Sequence, residues 1–443
     1  EDEIPFDLPE GWAWVRLGNL SAAIQYGLSN SAEPQGTHRL LRITDIQDGK
    51  VDWNAVPFTT VNDPEAYLLK TGDIVFARTG ATVGKSFLIT ETPYPSVYAS
   101  YLIRIRLLGS LSPEYIYQFF DSACYWSQIT DKSVGVGQPN CNGTSLKELF
   151  IPLPPISEQL RIVPTAQALL AYVAKIDAEK KSLLSIIMAT KSKILDLAIR
   201  GQLIPQDPND EPASVLLERI RAEKEELIKQ GKIKRDKKES VIFRGEDNSY
   251  YEKMPDGKLH CLDDQLPFEL PDGWEWCNLS MIGTTNIGLT YRPTNIEPDG
   301  VIVLRSCNIV NDQVDLSDLV RVKTTIRENQ YVQKNDILIC ARNGSRALVG
   351  KCALIPDLGE PASFGAFMAI YRTEYFEFIV HYLRSSFFRS VFDDSNSTAI
   401  NQLTQDMLKR AIVPLPPVFE QRRITETIDA MLFELNQMEK SLI

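Results

Sequence analysis

The longest regular pattern in the chain is a set of apolar residues three and four positions apart. Ile162, Ala166, Leu169, Val173, Ile176, Leu183, Ile187, Ile194 and Leu197 keep this spacing, with Lys180 and Thr190 as polar interruptions. Ile424, Ile428, Met431, Leu435, Met438 and Leu442 keep it again. Alternating steps of three and four put side chains on one stripe of a helix, the a/d seam along which helices pack. The first stripe predicts a helix of about 40 residues, about 60 Å long at 1.5 Å rise per residue. Pro164 lies near its start, so the helix is expected to begin there or to kink, because proline lacks the N–H that the preceding turn needs.

Elsewhere the apolar runs are short. Ile74–Ala77 and Ile337–Cys340 stop at glycine-containing turns, as strands do. Ser112-Pro113-Glu114 predicts a helix start with proline in the first turn, running to about Asp131, with a counterpart from about Thr373 to Phe392. The Leu-Pro-Pro stretches ending at Pro155 and Pro417 cannot be helical, since a residue before proline is pushed to extended backbone. They read as stiff connectors. Gly201 to Asp210 is a turn-rich stop, followed by a charged helix over Ala213–Gln230. Lys229 to Lys238 then holds six lysines or arginines, either a solvated linker or a contact for DNA phosphates.

The chain repeats itself. Leu8-Pro9-Glu10-Gly11-Trp12-Ala13-Trp14 returns as Leu270-Pro271-Asp272-Gly273-Trp274-Glu275-Trp276. Leu41-Arg42 to Asp52 returns as Leu304-Arg305 to Asp315, and Asp73-Ile74 to Gly80 as Asp336-Ile337 to Gly344. Ile151-Pro152-Leu153-Pro154-Pro155 with Glu158-Gln159 returns as Val413-Pro414-Leu415-Pro416-Pro417 with Glu420-Gln421. Four motifs in one order at one offset define two units, each a globular part followed by a helical part. The division expected is 1–155, a first globular domain; 156–262, a central helical region and linker; 263–417, a second globular domain; and 418–443, a second helix. The fold class expected is mixed α/β, with a pseudo-twofold internal repeat whose long helices run antiparallel.

Composition narrows the function. The formal net charge is −11, so a nucleic-acid-binding surface has to be a local patch or be completed by partner proteins. Seven cysteines without a C-x-x-C spacing argue against zinc and against a disulfide framework, and predict buried free thiols in a reducing cytoplasm. His38, His260 and His381 lie far apart and read as structural, and no metal site is expected. Gly80 to Lys85-Ser86 resembles a phosphate-binding loop, but three residues separate its glycines where four are needed. The counterpart, Gly344 to Gly350-Lys351-Cys352, has five and lacks the Ser/Thr. No Asn/Asp-Pro-Pro-aromatic motif of an adenine methyltransferase is present. No apolar run reaches the roughly 18 residues of a membrane span. The chain opens on Glu1 without methionine or a signal-peptide core, and Ile443 falls at the equivalent of Lys181, so further terminal residues are expected.

The repeat, the Pro-Leu-Pro-Pro…Glu-Gln connectors and the seamed helices together resemble the specificity subunits of type I restriction–modification systems. Leu-Pro-x-Gly-Trp opening each unit, Gly72-Asp73-Ile74 with Arg78-x-Gly80, Val349-Gly350-Lys351, and the segment Gly201 to Pro212 carry the likeness, which covers almost the whole chain. The resemblance implies two target-recognition domains held apart by two antiparallel helices, each domain reading half of a bipartite site in double-stranded DNA. It implies that the helices set the spacer and dock two methyltransferase subunits through the seam residues Ile162, Leu169, Val173, Ile176, Leu183, Ile187, Ile194, Ile424, Ile428, Met431 and Leu435. The chain itself would be no enzyme and hold no cofactor. S-adenosylmethionine would sit on the methyltransferase subunits, and ATP and magnesium on a restriction subunit able to join them. The alternative is a two-headed coiled-coil tether that binds proteins and reads no DNA.

Base readout needs donors and acceptors that reach base edges. The loop after the first Trp motif, Tyr26-Gly27-Leu28-Ser29-Asn30, and that after the second, Leu289-Thr290-Tyr291-Arg292-Pro293, lie in matching frames with different sequences, and offer Tyr26, Ser29, Asn30, Tyr291 and Arg292. Arg78 and Arg342 are suited to fork onto guanine or phosphate, or to form structural ion pairs with Asp73 and Asp336. Lys85 and Lys351 suit phosphate. Gln138, Asn140, Asn401 and Gln402 carry amides able to read adenine or to build turns.

Overall fold

The computed structural model describes residues 4–47, 49–132, 140–235, 240–393 and 402–442. The chain divides into two compact units, Glu1–Ala178 and Glu179–Ile443. In the first, the strands that carry the argument are β1 (Ala13–Arg16), β2 (Ser21–Tyr26), β3 (His38–Leu41), β4 (Ile74–Ala77), β5 (Ser86–Leu88), β6 (Ser96–Tyr98) and β7 (Leu102–Leu107). Helices α1 (Pro113–Phe119) and α2 (Ala123–Lys132) follow, then β8 (Phe150–Leu153) and the long α3 (Ile156–Ile199). The central sheet is antiparallel in the order β2-β7-β4-β5. All of β4 is buried because both faces are covered. Ile74 and Phe76 pack with Tyr115, Phe119 and Tyr125 of the helices, while Val75 and Ala77 pack with Trp53 and Leu69 on the other side. A strand sandwiched in this way reads as an unbroken apolar run rather than an alternation.

The second unit opens with the end of α3 and with α4 (Ala213–Lys229). A three-stranded sheet absent from the first unit follows, β9 (Val241–Arg244), β10 (Tyr250–Lys253) and β11 (Leu259–Cys261), in a stretch whose sequence reads as linker. Next come β12 (Glu275–Asn278), β13 (Thr284–Ile287), β14 (Ile296–Leu304), β15 (Ile337–Cys340), β16 (Cys352–Leu354), β17 (Ala362–Phe364) and β18 (Met368–Arg372). The unit closes with α5 (Phe376–Arg384), α6 (Ser386–Asp393), β19 (Ile412–Leu415) and α7 (Val418–Leu442). The order β13-β18-β15-β16 copies the first sheet. The parallel pairing of β3 with β6 is copied by β14 with β17. The sequence repeat is thus a repeat of topology.

Three expectations need correction. The Ile-Pro-Leu-Pro connectors are strands: β1 pairs antiparallel with β8, and β12 with β19. Each pair is a two-stranded ribbon, so a proline can face away from the single neighbour and no ladder bond is lost. Each helix expected after the central sheet is two helices. Ser122 Oγ accepts from Tyr125 N at 3.2 Å and Ser385 Oγ from Phe388 N at 3.3 Å, so a serine caps the second helix of each pair and ends the first. Finally, α3 does not begin at Pro164, the first of the two outcomes expected there; it starts at Ile156 and carries Pro164 inside. The missing N–H faces an exposed stretch of helix, where water can serve the orphaned carbonyl.

The Glu-Gln pair after each proline connector anchors the helix that follows it. Gln159 Nε2 donates to Pro154 O at 2.9 Å, and Gln421 Nε2 to Pro416 O at 2.8 Å. Trp12 Nε1 donates to Glu158 Oε2 at 3.2 Å, tying the opening motif to the start of α3. The tight turn before Trp12 needs a glycine, since Gly11 and Gly273 stand at φ +86° and +82°.

Glu420 is buried and accepts from Gln206 Nε2 at 3.3 Å. Its burial, chiefly, pushes the carboxyl above its ordinary value of 4.5. A carboxyl whose pKa is raised by folding costs nothing below the unfolded value and loses stability as pH rises through the folded one. Glu420→Gln should therefore gain on the parent in melting temperature as pH goes from 4 to 8; a gap that stays constant across that range would remove burial as the cause.

Within the second unit α3 and α7 run antiparallel. Lys191 pairs with Glu439 near one end, while Gln206, just past α3, meets Glu420 at the other. Ile194, Ala198, Ile424 and Ile428 share one core with Leu435 packed against it. Ile187 is also buried. Of the remaining seam positions, Leu169, Val173, Ile176, Leu183 and Met431 are exposed, while Ile162 is half-buried against the core of the first globular part. Periodicity marks which residues share a face, and only a neighbour buries that face.

Among the described residues no helix is long and apolar enough to cross a membrane, and no group of His, Cys, Asp and Glu could hold a metal. All seven cysteines are free; Cys141, Cys277, Cys340 and Cys352 are buried as expected, but Cys261 and Cys307 are exposed. His381 is buried and meets Asp429 Oδ1 at 3.2 Å.

Candidate nucleic-acid interface

Each globular part gathers its candidate residues at one end of its central sheet. In the first, β4 delivers Arg78, β2 delivers Tyr26, and the segment at Asn140 joins by a bridge between Thr79 and Asn140. Cys141 N donates to Arg78 O at 2.9 Å, and Tyr26 Oη accepts from Gly143 N at 2.8 Å. The Arg78 guanidinium lies over the Tyr26 ring, 4.9 Å from its centre. In the second, β15 delivers Arg342, which bridges to Gln402 and lies 5.6 Å from the centre of the Phe367 ring.

Neither arginine pairs with the aspartate offered as its structural partner. Asp73 is held by Arg106, with Nε to Oδ1 at 2.7 Å and Nη2 to Oδ2 at 2.6 Å, and accepts from Lys70 N at 2.8 Å. Asp336 is held by Arg372 in the same fork, at 2.6 and 2.7 Å, and accepts from Gln333 N at 2.7 Å. The clasp leaves Arg78 and Arg342 with their charge available on the loop face. Arg78 is half-buried and Arg342 is exposed, each with an aromatic ring as the shelf. A guanidinium held this way is presented at little further cost in side-chain entropy to a base edge or phosphate.

The two lysines differ. Lys85 is exposed, while Lys351 Nζ donates to Ile309 O and is half-buried, so phosphate contact fits only the first. The glycine–lysine motif is the returning arm of a hairpin. Gly84 N donates to Ala77 O and Ala77 N to Lys85 O, with the same pattern at Gly350, Cys340 and Lys351. A loop between antiparallel strands opens no helix to cradle phosphate, which accounts for its changing length.

In the reader loops Ser29, Asn30 and Arg292 are exposed and Tyr291 is half-buried. Asn30 Nδ2 donates to Thr60 O at 3.1 Å, and Arg292 N to Asn295 Oδ1 at 2.9 Å. Their frame needs correction. Leu28 bridges Ala99 as Leu289 bridges Gly365, so Tyr26 corresponds to Ile287, not to Leu289. Ile287 is exposed and was missed because a lone isoleucine carries no donor. Asn140 and Gln402 are exposed at the edge of the face; Gln138 and Asn401 lie outside the described residues. The described part of the basic run lies apart from these loops in sequence, with Arg235 paired to Glu225.

Comparison with known proteins follows the same lines. The family model for the type I restriction modification DNA specificity domain matches residues 9–186 and 271–443. The chain is 26% identical over 510 aligned residues to the EcoAI specificity subunit of Escherichia coli, spanning 99% of this chain and 80% of that one. It is 32% identical over 177 residues to the EcoKI specificity subunit of Escherichia coli K12, spanning 38% of each. Among solved structures, the HsdS subunit from Thermoanaerobacter tengcongensis shares the fold at TM-score 0.55 and 18% identity, over 100% of this chain and 94% of that one. A subunit from a type I restriction–modification assembly does so at TM-score 0.64 and 18% identity, over 99% and 94%. With both repeats matched by the model, this chain belongs to the family of type I restriction modification DNA specificity domains.

Proposed function

We propose that the chain is the DNA-reading subunit of a type I restriction–modification complex, in which each globular part reads one half of a bipartite site. The observation that carries this is the pairing of one scaffold, Asp–Arg clasp included, with two different loop faces: Tyr26, Arg78 and Asn140 in one, Ile287, Arg342 and Gln402 in the other. A fixed frame with divergent donors is what two readers of different sequences require. The long helices set the spacer and dock two methyltransferase subunits, which bind S-adenosylmethionine and methylate adenine in the cytoplasm. A restriction subunit using ATP and magnesium joins the same complex. The chain's net charge of −11 suits a subunit whose partners close around the DNA and supply phosphate contacts.

Co-expression with the cognate methyltransferase subunits, followed by mapping of methylated adenines, tests the reading. A single bipartite, asymmetric motif is expected; random methylation or none would favour the protein-binding tether. The exposed seam gives a second arm. Leu169 and Ile176 are 61% and 63% exposed, so replacing both by Asp should leave the melting temperature of the chain unchanged. Methyltransferase docking should fall sharply, because those charges would have to be desolvated in the complex. Unchanged assembly would remove this stripe from the docking surface.

A further inference from the structure

Each repeat carries an exposed aromatic ring that neither the clasp nor the core uses. Tyr101 is 62% exposed and Phe367 is 61% exposed. Single exposed apolar residues are common and need no explanation. These two occupy the same position of two diverged repeats. Leu102 N donates to Ala99 O at 2.9 Å and Met368 N to Gly365 O at 2.8 Å, so each ring stands at the third position of a tight turn entering the central sheet. Arg78 N donates to Tyr101 O at 3.2 Å; in the second repeat Ala341 N, which stands in the place of Arg78, donates to Phe367 O at 2.9 Å, and the next residue, Arg342, does so as well at 3.0 Å. The backbone of the candidate reading arginine therefore fixes the turn that presents the ring.

The turn is braced from its other side. A Cβ on Gly27 would overlap the carbonyl oxygens of Tyr98 and Ala99, and one on Gly288 those of Phe364 and Gly365. Only glycine lets the reader loop press so closely on the strand behind the ring. Such rigid mounting leaves most of each ring exposed, Phe367 with the Arg342 guanidinium over it, so it adds little to the fold's hydrophobic core. It does pre-pay the ordering of a flat apolar surface beside a guanidinium and the amides of Asn140 or Gln402. That combination, a stacking plane next to hydrogen-bond donors and acceptors, suits nucleic-acid bases rather than phosphate alone.

We infer that Tyr101 and Phe367 are base-stacking residues, one for each half-site, whose rings pack on a base step opened beside the arginine. The inference rests on the DNA-reading function proposed above and adds the residues and the mode of contact. An apolar ring inserted at a step partly unstacks it and bends the duplex. The contact belongs to the ring and not to a hydroxyl, since phenylalanine serves in one repeat where tyrosine serves in the other.

The test uses the full chain assembled with its methyltransferase subunits and duplexes bearing the mapped motif, with 2-aminopurine placed in turn along each half-site. Tyr101→Ala and Phe367→Ala should each weaken binding about 10- to 100-fold, the range for loss of one base–aromatic stack. Each should abolish a fluorescence rise at one step of its own half-site, with the salt dependence of binding unchanged. Tyr101→Phe and Phe367→Tyr should restore both signals. The inference is overturned if the alanine variants bind as the parent does, if affinity falls without any fluorescence signal having existed, or if the conservative exchanges fail to rescue. It is also overturned if the variants lose methyltransferase assembly without DNA or melt several degrees lower, which would make the rings a protein contact or a folding element. If the parent complex shows no preference for its motif, the DNA-reading function itself fails first.

Discussion

Exchanging the first globular part for that of a related specificity subunit is expected to change one half of the methylated motif and to leave the other half and the spacer as they were. Base contacts act locally, each contributing about 1–3 kcal/mol of discrimination, so a reader should transfer with its loops. The structure sets the breakpoints. An exchange of 10–150 would take β1 and leave most of β8, although Ala13 pairs with Leu153 and Val15 with Ile151. Residues 10–155 should move together, so that the ribbon comes from one parent. Within the second reader, Arg342→Ala separates two modes of contact. If Arg342 meets a base, preference relaxes at one position of the second half-site; if it meets phosphate, binding weakens for all sequences and the salt slope falls by about one unit. Methylation mapping of the exchange decides the larger question. Two altered halves, or none, would refute independent readers.

Asp336→Ala is expected to be the most damaging single change in the second unit, with a loss of about 3–5 kcal/mol, the usual result of removing one partner of a buried ion pair. The Asp336 side chain is 1% exposed, and its carboxylate holds both the Arg372 fork and Gln333 N. The Arg372 side chain is 32% exposed, so part of its charge can turn to water, which favours the lower end of that range. Asp336→Asn keeps an acceptor for one donor and should cost less. Urea unfolding measures both; a loss below about 1 kcal/mol for the alanine variant would place the clasp among surface ion pairs instead. Methylation by variants that still fold should keep its motif, since the Asp336–Arg372 pair binds only protein partners and is not among the residues assigned to the reader face.

By itself the sequence determined the repeat, the class of each repeat and the existence of the long helices. Those are matters of local pattern. Ile74–Ala77 is apolar throughout because both faces are covered, Ser112 caps α1 because its hydroxyl reaches Tyr115 N at 3.2 Å, and the three–four spacing of 162–197 has one helical reading. Two motifs kept their sense without their mechanism: Glu-Gln after the prolines anchors carbonyls, and Leu-Pro-x-Gly-Trp makes a turn, yet neither role is visible without the partner atoms.

Tertiary structure decided what depends on partners far along the chain. Asp73 had Arg78 nearby in sequence and took Arg106, because adjacent β7 sets that guanidinium beside it while β4 carries Arg78 on to the loop face. The register of the reader loops came from bridges to Ala99 and Gly365, so Ile287 replaced Leu289 as the counterpart of Tyr26. Proline became a strand residue because its ribbon has one neighbour to satisfy. The seam was split into a buried part, Ile187 and Ile194, and an exposed part, Leu169 to Leu183, by where α7 lies within its own unit and not by any difference in spacing. Tyr101 and Phe367 carry no motif at all. Their common place at the tip of a braced turn exists only once β6 with β7, and β17 with β18, have been brought against the loops, since a side chain's exposure is a property of its neighbours and not of its sequence.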